Sequence, residues 1–495
     1  MNPEAEALQG FLLVVWMDGD GDSSSLEAPL ARGERPLVEL LRLAGPTVLQ
    51  MASYTLMQFI DTYLLGKLST TEAGAAAMSG LFTFSVMCFG IGVLQLVNTL
   101  VSQSFGRKEY DLCGRYLWQG IWFGLAWSVA LIPLMPVAGK MFAVMGHERS
   151  LAELEALYLR LMLLSTFFKM LSVALGQFLL AVDRPRVVFA SALIAVAGNA
   201  VAAYAMTLGR WGVPRMGIVG AAWAQNIGVT VEALVLVAFV VQRSVRVTFN
   251  VMDWRLRLRE LGTLLRVGAP SGGQFVADVL AWSMFSSLVM AQVGESAMFA
   301  NMFTFRFMSV SFMPAIGIGT AVTALVGRYI GRGQPEVAVA LANLGFKVNA
   351  VYMLSCAVMF FLFRRELMRL FTDEPEVLRI GAMMLVFGAV YQLADAVYVT
   401  YIGALRGAGD TFVPAVLTAV LNWSMTVGVG FVVAKYVRSW GAVGPWVVAT
   451  LYGLVLSSFI WTRFRRGAWK GIRLEGGEEL DRLRGGEVKE VGLMA

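Results

Sequence analysis

Three aspartates, Asp61, Asp278 and Asp395, stand inside long apolar stretches. An ionisable group deep in hydrocarbon costs at least ~2.5 to 3.5 kcal/mol, so it persists mainly where it faces a cavity and acts on something. Asp395 follows Tyr391 by one helical turn, and Asp278 follows Gln274 by the same spacing, which puts each pair on one helix face. Carboxylate, phenol and amide oxygens so arranged can hold a proton or a hard cation such as Na⁺, which takes oxygen ligands. Protonation neutralises such a site and can displace a bound cation. Plainer readings stand beside these. Asp61, just before Tyr63-Leu64-Leu65-Gly66, fits a carboxylate snorkelling to the membrane surface. Asp278 fits a hydrogen bond between packed helices.

Two cations, Lys169 and Arg306, also lie more than two turns from any expected helix end. Facing a cavity, they favour an anionic or zwitterionic ligand; facing the acids, they form internal ion pairs. Other chemistries lack material. Cys88, Cys113 and Cys356 are scattered and odd in number, and His147 is the single histidine, so neither a disulfide framework nor a metal site is expected. No nucleophile and base pair is recognisable, which points away from an enzyme. No Gly-Lys-Ser/Thr loop exists, so ATP is not the expected energy source. Gly90, Gly92, Gly317 and Gly319 are read as sites of close helix approach. The many methionines, among them Met284, Met298, Met302 and Met308, suit a cavity for varied apolar shapes as well as ordinary core packing.

The elements that must position these residues follow from composition. Hydrophobic residues make up 57% of the 495 and charged residues only 15%, a balance no soluble surface can solvate. Twelve apolar runs reach the ~20 residues that a bilayer core needs: 37–65, 74–101, 114–139, 152–181, 186–209, 217–242, 261–291, 296–327, 340–363, 376–405, 411–437 and 441–462. Runs such as Ile121 to Val137 are apolar all round, so the expected fold is an all-α integral membrane protein with twelve transmembrane helices. Lys and Arg gather at alternate connections, with Arg107 and Lys108, Arg184 and Arg186, Arg243 through Arg266, Arg328 and Arg332, Arg406, and Arg463 through Arg473 on one side. That side, with both termini, is expected to be cytoplasmic. The net charge of +6 therefore reflects membrane orientation, and no nucleic-acid partner is expected. Residues 1–36 read as an acidic, Ser/Gly-rich disordered tail without signal-peptide character, with Met17 an alternative start.

The basic linker 243–260 divides the chain into 37–242 and 261–462, leaving 463–495 as a cytoplasmic tail. The division coincides with a repeat. Leu40 through Pro46 and Gln50 match Leu264 through Pro270 and Gln274 at an offset of 224, and Gly176 to Asp183 matches Gly403 to Asp410; Asn199 falls near the place of Asn422. Because each half has an even number of spans, both enter from the same side, giving two pseudo-symmetric six-helix bundles related by an axis along the membrane normal.

Gly403-Ala404-Leu405-Arg406-Gly407-Ala408-Gly409-Asp410-Thr411, with Asp61-Thr62, Gly66, Gln103 through Gly106, Pro270 and Gly217 through Ala222, resembles the multidrug and toxic compound extrusion (MATE) family of cation-coupled antiporters. The resemblance runs from about Pro36 to Arg466. It implies V-shaped lobes that export amphipathic, usually cationic compounds against Na⁺ or H⁺ entry. Position by position, Asp61 and Asn199 resemble the family's N-lobe acid and asparagine; one turn later this chain has Ala203 where many members are polar. Asp278, Asp395 and Tyr391 resemble the C-lobe cation set, with Asp278 in place of the usual glutamate.

The expected function is a secondary antiporter exporting amphipathic drugs or metabolites for Na⁺ or H⁺ by alternating access, with Asp278, Asp395, Tyr391 and Gln274 binding the cation. Asp61 and Asn199 form the N-lobe proton or substrate site, and Lys169 and Arg306 are possible cavity charges. The alternative is a flippase for a lipid-linked or anionic amphiphile, for which those two cations would bind pyrophosphate. Neither reading needs a cofactor beyond the coupling ion. A small amphipathic molecule and membrane lipid are the expected partners, and a monomer in the bacterial inner membrane is the expected state.

Overall fold

The computed structural model describes residues 36–66, 69–144, 148–472 and 474. Met17 with the rest of the amino-terminal tail before Pro36, His147, and nearly all of the carboxy-terminal tail lie outside them. The first bundle consists of α1 (Pro36–Gly66), α2 (Thr70–Gly106), α3 (Tyr110–Leu131, bent by 53° into Leu134–Val144), α4 (Arg149–Leu164, bent by 46° into Thr166–Ala181), α5 (Pro185–Leu208) and α6 (Ile218–Val240). The second consists of α7 (Leu258–Met284, continuing to Gln292), α8 (Glu295–Gly331), α9 (Pro335–Leu362), α10 (Pro375–Gly407), α11 (Phe412–Leu421, continuing to Tyr436) and α12 (Val443–Arg466). Nine of these are long and apolar enough to cross a membrane, and the bent pairs α3 and α4 qualify as two more. The remaining helix, α1, is 31 residues long but is interrupted by Glu39, Arg42 and Asp61. The chain is a multi-pass membrane protein of twelve helices in two lobes.

Local sequence sets the ends. Proline opens α5, α9 and α10, where its missing N–H costs no helical bond. The Gly403–Thr411 motif makes the turn out of α10: Gly409 takes φ +84°, and the Asp410 carboxylate accepts two bonds from Arg463 of α12, at 2.7 and 3.0 Å. The bend in α4 is stitched by Asn226 of α6, which accepts from the Ser165 hydroxyl at 2.7 Å and donates to the Leu161 carbonyl at 2.8 Å. Two π-helical stretches, Phe285–Val289 and Asn422–Val429, widen α7 and α11, both in the second lobe. Such widenings often accompany functional sites.

Each lobe has its own apolar core, and the first helix of each lobe begins in the core of the other. Leu40, Leu43 and Ala44 of α1 pack with the C-lobe, whereas Leu264 and Val267 of α7 pack with the N-lobe. The hydrogen bonds and ion pairs joining the lobes gather at this end, where the linker, the start of α1 and the end of α12 also lie. Thr47 donates to the Gly317 carbonyl, Thr99 to that of Arg406 and Gln103 to that of Gly407, all at 2.9 Å. Arg328, 1% exposed, lies 3.6 Å from both Glu39 and Asp183, and the Tyr329 hydroxyl donates to Glu39 at 2.9 Å. Glycines permit the approach. A Cβ on Gly92 would stand 2.7 Å from the Gly272 Cα, and one on Gly317 would meet Val48. The linker, with a short helix Arg243–Thr248, is fastened to α3 through Trp118, Trp122 and Gln119, which bond its backbone at Val251, Trp254, Arg255 and Arg257.

Candidate functional site

In the C-lobe, α7, α10 and α11 bring together the acids separated in sequence. Asp278 accepts a hydrogen bond from the Asn422 amide at 3.0 Å, at the first residue of the π-helical stretch of α11. Asp395 is buried on α10, one turn past Tyr391, whose ring stands edge-on to Trp282 of α7 at 5.8 Å. Trp282 lies one turn past Asp278, so this ring contact brings the Asp278 turn of α7 against the turn of α10 that carries Tyr391, one turn before Asp395. Two carboxylates with a phenol between helices offer oxygen ligands to one small cation.

Gln274 is turned elsewhere. Its amide donates to Tyr398 at 2.8 Å and to Thr418 at 3.2 Å, while its carbonyl accepts from Arg406 at 3.4 Å. The oxygen expected for the cation is therefore engaged by a guanidinium. Arg406, read from sequence as a basic residue at a helix end, is half-buried between the lobes and also donates to Gln95 of α2 at 3.1 Å.

In the N-lobe, Asn199 of α5 donates to Asp61 of α1 at 3.5 Å, joining the two residues expected to act together. The second Asp61 oxygen is buried without a hydrogen-bond partner. A separate polar group lies on the adjacent face. Tyr54 donates to Glu232 of α6, Gln50 donates to the Tyr54 hydroxyl at 3.3 Å, and the Lys169 ammonium sits 4.8 Å above the Tyr54 ring. Glu232, 2% exposed, was not singled out from sequence. Its signal was available, as an acid in the middle of an apolar run.

Arg306 is exposed on α8 and makes no ion pair among the described residues. It shares its exposed face with Met302 and Val310, while Thr304, Met308 and Ser311 turn into the C-lobe. Eleven residues, about three helical turns, separate Arg306 from Gly317, so both lie on one face. At Gly317 that face packs against Thr47 and Val48 of the N-lobe. Arg306 thus looks toward the N-lobe, beyond the point where the lobes touch.

Comparison with known proteins places this arrangement. The family model MatE matches residues 46–205 and 276–432, one stretch in each lobe. The probable multidrug resistance protein NorM of Bradyrhizobium diazoefficiens is 29% identical over 440 residues, covering 86% of this chain and 93% of that protein. Its counterpart in Mesorhizobium japonicum is 26% identical over 435 residues, with the same coverage. Among solved structures, the outward-facing conformation of a multidrug resistance MATE family transporter superposes with a TM-score of 0.81 at 20% identity, covering 89% of this chain and 98% of that one. The eukaryotic MATE transporter AtDTX14 gives 0.79 at 19% identity, covering 88% and 97%. At these identities the structural likeness establishes the fold.

Proposed function

This chain belongs to the MatE family, a family of transporters, and on that premise we propose that it is a secondary antiporter exporting amphipathic compounds in exchange for Na⁺ or H⁺. The observation that carries the reading is the trio of half-buried Asp278 with buried Asp395 and Tyr391, in a molecule whose lobes are bonded together at one end. A cation entering the trio neutralises acids that are costly to bury, and so favours whichever lobe arrangement encloses them. A substrate in the cleft favours the other. Coupling requires each ligand to bind the two arrangements with different affinity.

The names of the relatives support drug-like, amphipathic substrates. The concentration of Lys and Arg at the linker end supports a cytoplasmic location for that end and for both termini, with the cleft opening outward. A bacterial inner membrane is the corresponding setting. We assign the N-lobe pair Asp61 and Asn199 a lesser part in coupling, since its second turn carries Ala203 in place of a further polar group.

The deciding experiment is substrate flux in proteoliposomes under imposed ΔpH or ΔNa⁺. Flux driven by one gradient, lost in Asp395→Asn while the protein still folds, is the expected result. No response to either gradient overturns the proposal.

A further inference from the structure

The two lobes carry unlike charge at corresponding places. The repeat puts Tyr54 where the C-lobe has Asp278, and puts Lys169 within one residue of the place of Asp395. Where one lobe has two acids, half-buried Asp278 and buried Asp395, the other has a phenol with an ammonium above its ring. Glu232 and that ammonium meet Tyr54 at different points, the hydroxyl binding Glu232 and the face receiving Lys169, and no ion pair joins the two among the described residues. Lys169 makes no ion pair among the described residues and is only half-buried. Beside it, Gln50 is 7% exposed and its side-chain oxygen has no hydrogen-bond partner.

Position on the helices ties this group to the cleft. Tyr54 lies seven residues, about two turns, beyond Thr47, on the α1 face that meets the C-lobe at Gly317. Arg306 lies about three turns beyond Gly317 on the facing helix. By a rise of 1.5 Å per residue, Tyr54 stands about 10 Å above the closed contact and Arg306 about 16 Å above it. A ligand entering the cleft meets Arg306 first and Lys169 deeper, on opposite walls.

We propose that Lys169 receives an anionic group of the transported compound, with Arg306 guiding its entry, so that the substrates include amphiphiles bearing a carboxylate or comparable anion, zwitterions among them. The inference rests on the cleft being the substrate path, as in the function proposed above. A cation held by an aromatic face keeps its charge available to a ligand oxygen, whereas an ion pair spends it on the protein. The unpartnered Gln50 oxygen supplies an acceptor for a donor on the same ligand, such as the ammonium of a zwitterion. The acids of the C-lobe are left to the coupling cation.

A matched pair of dyes tests this: rhodamine B, which carries a carboxylate beside its cationic ring system, and its ethyl ester, a cation alone. Gradient-driven flux in proteoliposomes and equilibrium binding by fluorescence anisotropy are measured for the wild type, K169Q, K169R and R306Q. The expected result is that K169Q weakens rhodamine B binding and flux by about tenfold or more, the loss of one charged contact, while the ester stays within about twofold of wild type. K169R retains rhodamine B, and R306Q slows its entry more than it weakens its binding. Equal losses of both dyes in K169Q assign Lys169 a structural role and overturn the inference, as does a wild type that binds the ester but not rhodamine B. Lys169-dependent binding of rhodamine B without gradient-driven flux of either dye would reject the antiporter and leave this inference standing.

Discussion

Asn422 donates a hydrogen bond to Asp278 at 3.0 Å, tying α11 to α7 at the first residue of a π-helical stretch. In the other lobe Asn199 reaches Asp61 in the same way, from α5 to α1, at 3.5 Å. The asparagines fall near corresponding places; the aspartates lie two turns apart along their helices, once the repeat is allowed for. An amide donor stabilises a carboxylate that has no bound cation, and so competes with the cation for the same oxygens. Asn422→Leu is therefore expected to tighten cation binding at Asp278 by roughly tenfold to a hundredfold, from the ~1.5 to 3 kcal/mol of a hydrogen bond to a charged group. Turnover should slow as release becomes harder. Flux at graded Na⁺ or H⁺ concentration measures both.

Arg328 and Glu39 face one another across the closed end with almost no exposure. Arg328→Met leaves a buried acid without its cation, which costs about 3 to 5 kcal/mol. The closed contact at the linker end should open. A Ser102→Cys probe between the lobes, in a background with Cys88, Cys113 and Cys356 replaced by Ala, should be labelled faster by a maleimide. Adding Glu39→Gln should restore most of the protection.

The closest approach of α2 and α7 leaves no room for a side chain at Gly92. Gly92→Leu is expected to force the lobes apart by at least the width of that side chain and to reduce transport more than it reduces thermal stability. Unchanged flux with unchanged labelling of the Ser102→Cys probe would contradict the packing described.

Asp253, in the linker outside the spans, is held below the ordinary aspartate value of 3.8, chiefly by its hydrogen bond from Arg257 at 2.6 Å. A lowered carboxylate contributes stability that is full above 3.8 and is lost as pH falls through its folded value. The Asp253–Arg257 contact within the linker should therefore be insensitive to pH across the neutral range and loosen only in strong acid. Limited proteolysis between Arg243 and Arg257 at stepped pH reads this directly, and a change near neutrality would contradict it.

Much of the architecture was legible because the solvent is lipid. Apolar length, paired Pro46 and Pro270, and the charge-rich linker mark helices and halves without knowledge of any contact. The acids Asp61, Asp278 and Asp395 were visible for the same reason, since a charge among twenty apolar residues stands out. Glu232 carried that signal too. Its bond to Tyr54 brings together residues 178 positions apart, and no periodicity announces it.

Sequence by itself determined the helices, their number, the doubling of the chain and the charges set within it, because each depends on the local match between residue type and bilayer. Tertiary structure alone decided what those charges face. It turned the Gln274 oxygen toward Arg406, placed Arg406 between the lobes, held Lys169 on an aromatic ring beside an acid it does not pair with, and paired each asparagine with its aspartate. The physical reason is that a helix presents a given side chain on one face, while the groups that meet it there come from helices more than a hundred residues away.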